Sequence, residues 1–427
     1  MSKVVHLRDV PRLELTAARL LSGALEVIEY GGVVVEDGRL SYVGTSADMP
    51  HAADATRLDF PDGSLLPGLI DMHAHPMGWP GEVWDERHIW LGIDRDLQIF
   101  RAAETLRSWL TAGYTTVRDV AVPGPSVALK EAVKSGIIEG PRMSIGVIAI
   151  GQTGGHADSL VYPYQWQQDR WTRDGSTSRF PTEDWLEFGG GAKGLMIDGP
   201  DACRRAVRAI KRQGADFVKV FLDHLFDEAG TEFSDSELLA LIEEAHRHGM
   251  HVASHVTTKG AMRRAIEFGV DTIEHGSNDV SDADLARLAE SSSTLVPTAA
   301  AMYLYLETSP ESERSQVEGM LDDSRELTRR SLAAGVHVVP GSSLGAFDHH
   351  RGGYAMDMVI LVEEGMAPIE AIRAQTLDAA RICGLDSHIG SLEPGKFGDM
   401  IVVPGDPFQD IELLLEPGPS TVFTSMP

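Results

Sequence analysis

The sequence predicts an α/β fold, a (β/α)8 TIM-like barrel with a small β-sandwich domain built from both chain ends. Three observations carry that expectation. Short apolar runs alternate with helical patterns through the middle of the chain, the mark of βαβ units and a parallel sheet. Turn-rich segments beside apolar strands lie at both ends. The 427 residues suit one barrel of about 250 to 350 residues with a smaller domain attached. The expected divisions are residues 1–65 and 390–427 for the small domain and 66–389 for the barrel.

Near the start, Val33 to Val35 and Leu40 to Val43 read as strands around a Glu36-Asp37-Gly38 turn, with another apolar stretch near Leu65. Near the other end, Gly390 to Asp399 is rich in turn formers and leads into Met400 to Val403. The two ends are expected to pair; the alternative is two unrelated strands covering the barrel. Between them, Thr115 to Asp119, Phe217 to Phe221, Met250 to His255, Asp271 to His275, Thr294 to Pro297 and Val336 to Pro340 read as strands. Ser234 with Glu237 forms a capping-box pattern at a helix start, and Ser281 with Asp284 a weaker one.

From Asp158 to Gly191 the chain is polar and irregular, far longer than the roughly 2 to 6 residues of an ordinary βα loop, which suits a lid or a subunit contact. Six of the seven tryptophans fall in two loops, Trp79, Trp84 and Trp90 in one and Trp166, Trp171 and Trp185 in the other. They predict an aromatic-lined pocket or an oligomer interface, with equal weight.

With 37 basic against 64 acidic residues the formal charge is -27, a field that disfavours nucleic acid and anionic membrane surfaces. A small molecule or another copy of the chain is the expected partner. The two cysteines, Cys203 and Cys383, sit in helical patterns, which argues against a disulfide framework and against thiolate metal binding. The first residues lack a signal peptide's apolar run, and no stretch approaches the roughly 18 to 20 apolar residues of a membrane span. A cytoplasmic protein is the expectation.

His73-Ala74-His75 follows an apolar strand that includes Leu69 to Met72. Side chains alternate along a strand, so the two histidines face one way and can share a metal. Lys219 lies inside the hydrophobic run Asp216 to Phe221, where burial would depress its pKa and free the amine for covalent chemistry. Read alone, the position more often marks a lysine snorkelling from the strand end to solvent. His255 and His275 end two further strands, where barrel catalytic groups belong. His251 lies at the opposite end of its strand and reads as structural, as do His246 and His248 at a helix C-terminus.

In this ordered set the chain resembles the amidohydrolase superfamily, in the branch of imidazolonepropionase-like and prolyl dipeptidase-like enzymes, where ochratoxin-hydrolysing amidohydrolases look similar. The resemblance runs through Leu66-Pro67-Gly68-Leu69-Ile70-Asp71-Met72-His73-Ala74-His75, Gly113 to Asp119, Thr153-Gly154-Gly155-His156, the Lys219 strand, Ser254-His255 and Ile273-Glu274-His275-Gly276. It implies two divalent ions, zinc first with iron, manganese or cobalt also accepted. It further implies His73 and His75 on the more buried ion, a carbamylated Lys219 bridging the pair, His255 and His275 on the second ion, and a homo-oligomer.

The family places its catalytic aspartate at the end of the eighth strand, in a Gly-Ser/Thr-Asp segment. Here the run is Gly341-Ser342-Ser343, so the slot is Ser343. A hydroxyl does not act as a base near neutral pH, so losing the aspartate should cost on the order of a hundredfold to ten-thousandfold in rate. Three readings follow: a replacement made to trap a ligand, which the sequence favours; Asp348 acting instead; or a non-catalytic relative. By resemblance His156 would touch the scissile carbonyl oxygen. Phe221, His224 and His88 are placed to line the pocket. The expected function is hydrolysis of an amide bond in an N-acyl amino acid, a dipeptide or an ochratoxin-like aromatic amide. The alternatives are an aryl carbamate or urea hydrolase and a metal-dependent ligand binder without turnover.

Overall fold

The computed structural model describes residues 3–76, 95–121, 125–156, 194–223, 231–345, 353–415 and 418–426. The six loop tryptophans, the 158–191 segment, His88, His224 and Asp348 lie outside the described residues.

Both chain ends enter one seven-stranded sheet, in the order Lys3–His6, Thr421–Thr424, Met400–Pro404, Thr56–Pro67, Arg12–Leu21, Val27–Glu36 and Arg39–Thr45. Val5 stands opposite Phe423 in a parallel pair, and Ile401 opposite Leu66 in an antiparallel one. The ends therefore pair, as their turn chemistry predicts. A second, facing sheet that would make a sandwich is not seen among the described residues. Alternate residues Leu13, Leu15, Val33, Val35, Met400, Val402 and Phe423 form its buried face. The predicted hairpin turn places Asp37 at φ 49° and Gly38 at φ 77°, the two left-handed residues that a tight hairpin matching strand twist requires.

From Leu69 to Gly345 the named strands pair in parallel. Leu344–Gly345, Leu69–His75, Tyr114–Asp119 and Arg142–Ile145 make a four-stranded sheet. Gly194–Met196, Ala149–Gly151, Val218–Phe221, Val252–Val256, Thr272–His275 and Thr294–Val296 make a six-stranded one. The strands are buried along nearly their whole length, as parallel strands covered on both faces must be. Among the described residues the two sheets do not join into one closed ladder. Isolated backbone bonds span the gaps: Ala149 N to Ala121 O at 3.0 Å, Asp216 N to Ile145 O at 2.8 Å, and the pair Leu295 N to His337 O at 2.9 Å and Val339 N to Leu295 O at 3.0 Å.

Helices intervene between the strands. Pro200–Arg212 buries Cys203, Ala206, Val207 and Ile210, a helical stripe with arginines outside it. Both predicted capping boxes form, at Asp235–Arg247 and at Asp282–Glu290. No helix of the described residues is long and apolar enough to cross a membrane.

The strand predicted over Val336–Pro340 is reduced to one bridge, Val338 with Leu295. Pro340 has no N–H to offer. The next two N–H groups go to buried carboxylates, Gly341 N to Asp357 Oδ2 at 3.2 Å and Ser342 N to Asp71 Oδ1 at 3.0 Å. Carboxylates, not a neighbouring strand, carry the chain here towards His73.

Candidate metal centre

Alternation along Leu69–His75 sends Asp71, His73 and His75 to one side. Asp71 accepts from His73 N (3.0 Å), Trp109 Nε1 (3.0 Å), Ser342 N (3.0 Å) and Ser342 Oγ (2.6 Å). It locks the base of the strand beneath the histidines. Burial raises its pKa, against those four donors.

His73 Nδ1 lies 2.6 Å from Glu274 Oε2. The other Glu274 oxygen accepts from Arg118 Nη1 at 3.1 Å and Thr272 Oγ1 at 2.6 Å. Arg118 in turn stacks over Phe217, 4.2 Å from the ring centroid. Burial pushes the Glu274 carboxyl up, but His73, Lys219 and Arg118 together outweigh it and hold it below the usual carboxylate range. Burial first, and then Lys219, bring His73 down to about 4. The ring is neutral near pH 7, and ionised Glu274 takes its Nδ1–H. Nε2 keeps the lone pair that a metal needs.

Alternation alone would turn His275 away from the side that Glu274 faces. Its left-handed backbone, φ 69° with Gly276 at 89°, brings the ring back. His275 Nδ1 lies 2.6 Å from Thr298 Oγ1, and that hydroxyl donates to Pro297 O at 2.7 Å. With its proton committed, the hydroxyl accepts from His275 Nδ1–H, again leaving Nε2 bare.

Ring contacts run through five histidines. Centroids are 5.1 Å apart for His75 and His73, 4.9 Å for His73 and His275, 4.6 Å for His275 and His255, and 4.5 Å for His255 and His156. His156 also stacks on Phe221 at 4.4 Å and 11°. Burial, reinforced by the neighbouring histidines and Lys219, drives His255 and His275 well below the ordinary histidine value. Lys219 is buried on Val218–Phe221, and its Nζ has no hydrogen-bond partner among the described residues. Burial brings the amine down to about 8 against the pull of Glu274.

This donor set fits the expected ions. The imidazoles of His73, His255 and His275, held neutral around an orphaned buried amine, suit borderline divalent cations. Among the described residues no three His, Cys, Asp or Glu side chains are already drawn into an ion-holding arrangement. The rings stand in contact, one beside the next.

Gly155, just before His156, makes room for a carboxylate, a purpose the sequence does not show. A Cβ on Gly155 would come within 2.4 Å of the Glu232 carboxylate, and His156 N donates to Glu232 Oε1 at 2.5 Å. The close approach is to a carboxylate of the chain itself. Ser343 is half-buried at φ 54°, with its N–H donated to His73 O at 2.6 Å. Its slot thus adjoins a predicted ligand. His246 and His248 turn elsewhere, to Asp271 (2.7 Å) and Glu244 (2.9 Å).

Four buried residues at the site escaped sequence reasoning: Arg118, Asp223, Glu232 and Glu274. Asp223 had a signal, since it continues the two-residue period of Lys219 and Phe221. Glu274 lay in a quoted motif but had no visible partner.

The amidohydrolase family profile matches residues 64–425. Ochratoxinase of Aspergillus niger is 28% identical over 414 residues, covering 94% of this chain and 83% of that protein. A crystal structure of A. niger ochratoxinase superposes with a TM-score of 0.82 at 26% identity, over 97% of this chain and 95% of that one. A crystal structure of a Xaa-Pro dipeptidase with methionine in its active site gives 0.80 at 26% identity, over 97% and 98%. Imidazolonepropionase of Porphyromonas gingivalis is 26% identical over 404 residues, 91% of this chain and 87% of that protein. These likenesses imply a TIM-like barrel around the parallel strands. The chain belongs to the amidohydrolase family.

Proposed function

We propose that this chain is a binuclear metal-dependent amidohydrolase acting on an amide bond of an N-acyl amino acid, a dipeptide or an ochratoxin-like aromatic amide. The observation that carries this reading is the run of ring contacts from His75 to His156 beside the orphaned Lys219 amine. The family match and the likeness to ochratoxinase and a Xaa-Pro dipeptidase support hydrolysis of an amide.

His73 and His75 would hold one ion, His255 and His275 the other, and carbamylated Lys219 would bridge them. When bound, the pair, zinc first, supplies Lewis acidity towards a carbonyl oxygen and an acidified water. At about 8, the Lys219 amine is about one-tenth neutral at pH 7. That fraction adds through its nitrogen lone pair to carbon dioxide and releases one proton to water. Glu274 and Thr298 hold the tautomers of His73 and His275. His156, fixed by Glu232 and stacked on Phe221, is placed to donate to a developing oxyanion. The partner is a small-molecule substrate, and the assembly in this proposal is a homo-oligomer.

Ser343 favours a second reading, a metal-dependent binder without turnover. The test compares the metal-loaded chain with Ser343→Asp on N-acyl amino acids, dipeptides, aryl carbamates and ureas. A gain on the order of a hundredfold or more on amides supports the proposal. The same gain on carbamates or ureas assigns the alternative hydrolase. No gain on any of them supports the binder.

A further inference from the structure

Asp223 is fully buried, two residues beyond Phe221 on the side of the strand that carries Lys219. Its two oxygens have different fates. Oδ2 accepts from Thr257 N at 2.6 Å, Thr258 N at 2.7 Å and Thr257 Oγ1 at 3.3 Å, and so holds the turn that leads into the Lys259–Phe268 helix. That role accounts for one oxygen. Oδ1 is buried with no hydrogen-bond partner among the described residues, 3.9 Å from His255 Nε2. His255 Nε2 is itself buried and without a hydrogen-bond partner there.

An unpartnered carboxylate oxygen facing an unpartnered imidazole nitrogen is costly for a merely structural pair. Two ligands, each about 2.1 Å from one tetrahedral ion, stand roughly 3.4 Å apart. The observed 3.9 Å exceeds that by about half an ångström, within reach of a small rotation of either side chain. The three donors to Oδ2 already fix the rotamer. Asp223 thus stands at the cluster on the Lys219 strand, while the family's aspartate slot, on the far side beside His73, holds Ser343.

We propose that Asp223 Oδ1 is a ligand of the ion held by His255 and His275. This rests on the binuclear reading above. Zinc per chain, by elemental analysis after exhaustive dialysis, and zinc affinity by competition with a chromophoric chelator test it without recourse to activity. In Asp223→Asn the amide oxygen still serves the Thr257 and Thr258 N–H groups, so the metal-free fold persists, as circular dichroism will show. In that variant one zinc should be lost, or bound on the order of tenfold to a hundredfold more weakly, while the other stays. Asp223→Ser, whose hydroxyl is too short to reach His255, should behave alike if the Asn variant folds poorly. Two zinc ions bound with parental affinity in both position-223 variants would overturn the assignment. Fewer than two in the parental chain would instead overturn the binuclear reading, a result visible before any substitution is made.

Discussion

His73 and Glu274, 201 residues apart in sequence, meet through a 2.6 Å hydrogen bond from Nδ1 to Oε2, and Arg118 braces the same carboxylate from its other side. Glu274→Gln keeps the shape but removes the charge that orients the imidazole and neutralises Arg118. Affinity for the first ion should fall by about tenfold to a hundredfold. The buried guanidinium left without a carboxylate should lower stability by about 3 to 5 kcal/mol. Metal titration reads the first effect and the urea midpoint of the metal-free protein the second.

Thr298→Val removes the oxygen that receives the His275 Nδ1 proton while keeping nearly the same volume. The imidazole is then free to choose the wrong tautomer. The second ion should bind about tenfold more weakly, with the first unchanged. Equal loss at both ions would show that Thr298 acts through general packing.

Gly155→Ala drives a methyl group into the Glu232 carboxylate and shifts the loop that carries His156. In the Ser343→Asp background, kcat should fall by about a hundredfold with metal content unchanged. A change in metal content instead would move His156 from the substrate side of the site to its ligands.

Much of this centre is legible in the sequence, for local reasons. A two-residue period puts His73 and His75 on one face, and Lys219 stands out only in company with the histidines that end neighbouring strands. Long-range partners are not legible. Nothing local links His73 to Glu274 or Asp71 to Ser342. His275 reaches the site only through a left-handed backbone that no propensity foretells for histidine. The Val336–Pro340 strand dissolves because Asp71 and Asp357 take the N–H groups that follow it. In the terminal sheet, apolar alternation and an Asp-Gly turn gave away the hairpin, whereas the parallel pairing of Val5 with Phe423 needed the fold.

In that sheet Glu14, almost fully buried, is pushed up by burial but held at about 2 by His51, Ala52 N, Arg57 and Arg12. A carboxyl held below its ordinary 4.5 contributes stability above that pH and loses it as pH falls from 4.5 towards 2. Because His51 and Arg57 are more than half exposed, solvent screening limits the contribution to about 1 to 2 kcal/mol. Glu14→Gln should lower the urea midpoint at neutral pH, and the gap to the parental protein should close as the pH is taken below 4.5. A gap that stays constant with pH would assign Glu14 a packing role only.

The metal pair organised around Lys219 is the claim on which the chemistry depends. Lys219→Ala deletes the buried amine that a carbamate bridge requires and should leave the fold intact, since its Nζ forms no hydrogen bond among the described residues. Elemental analysis of the zinc-loaded chain and of this variant, both folded by circular dichroism, tests it directly. The expected result is two ions per parental chain and one or none in the variant. Two tightly held ions in Lys219→Ala would contradict the account.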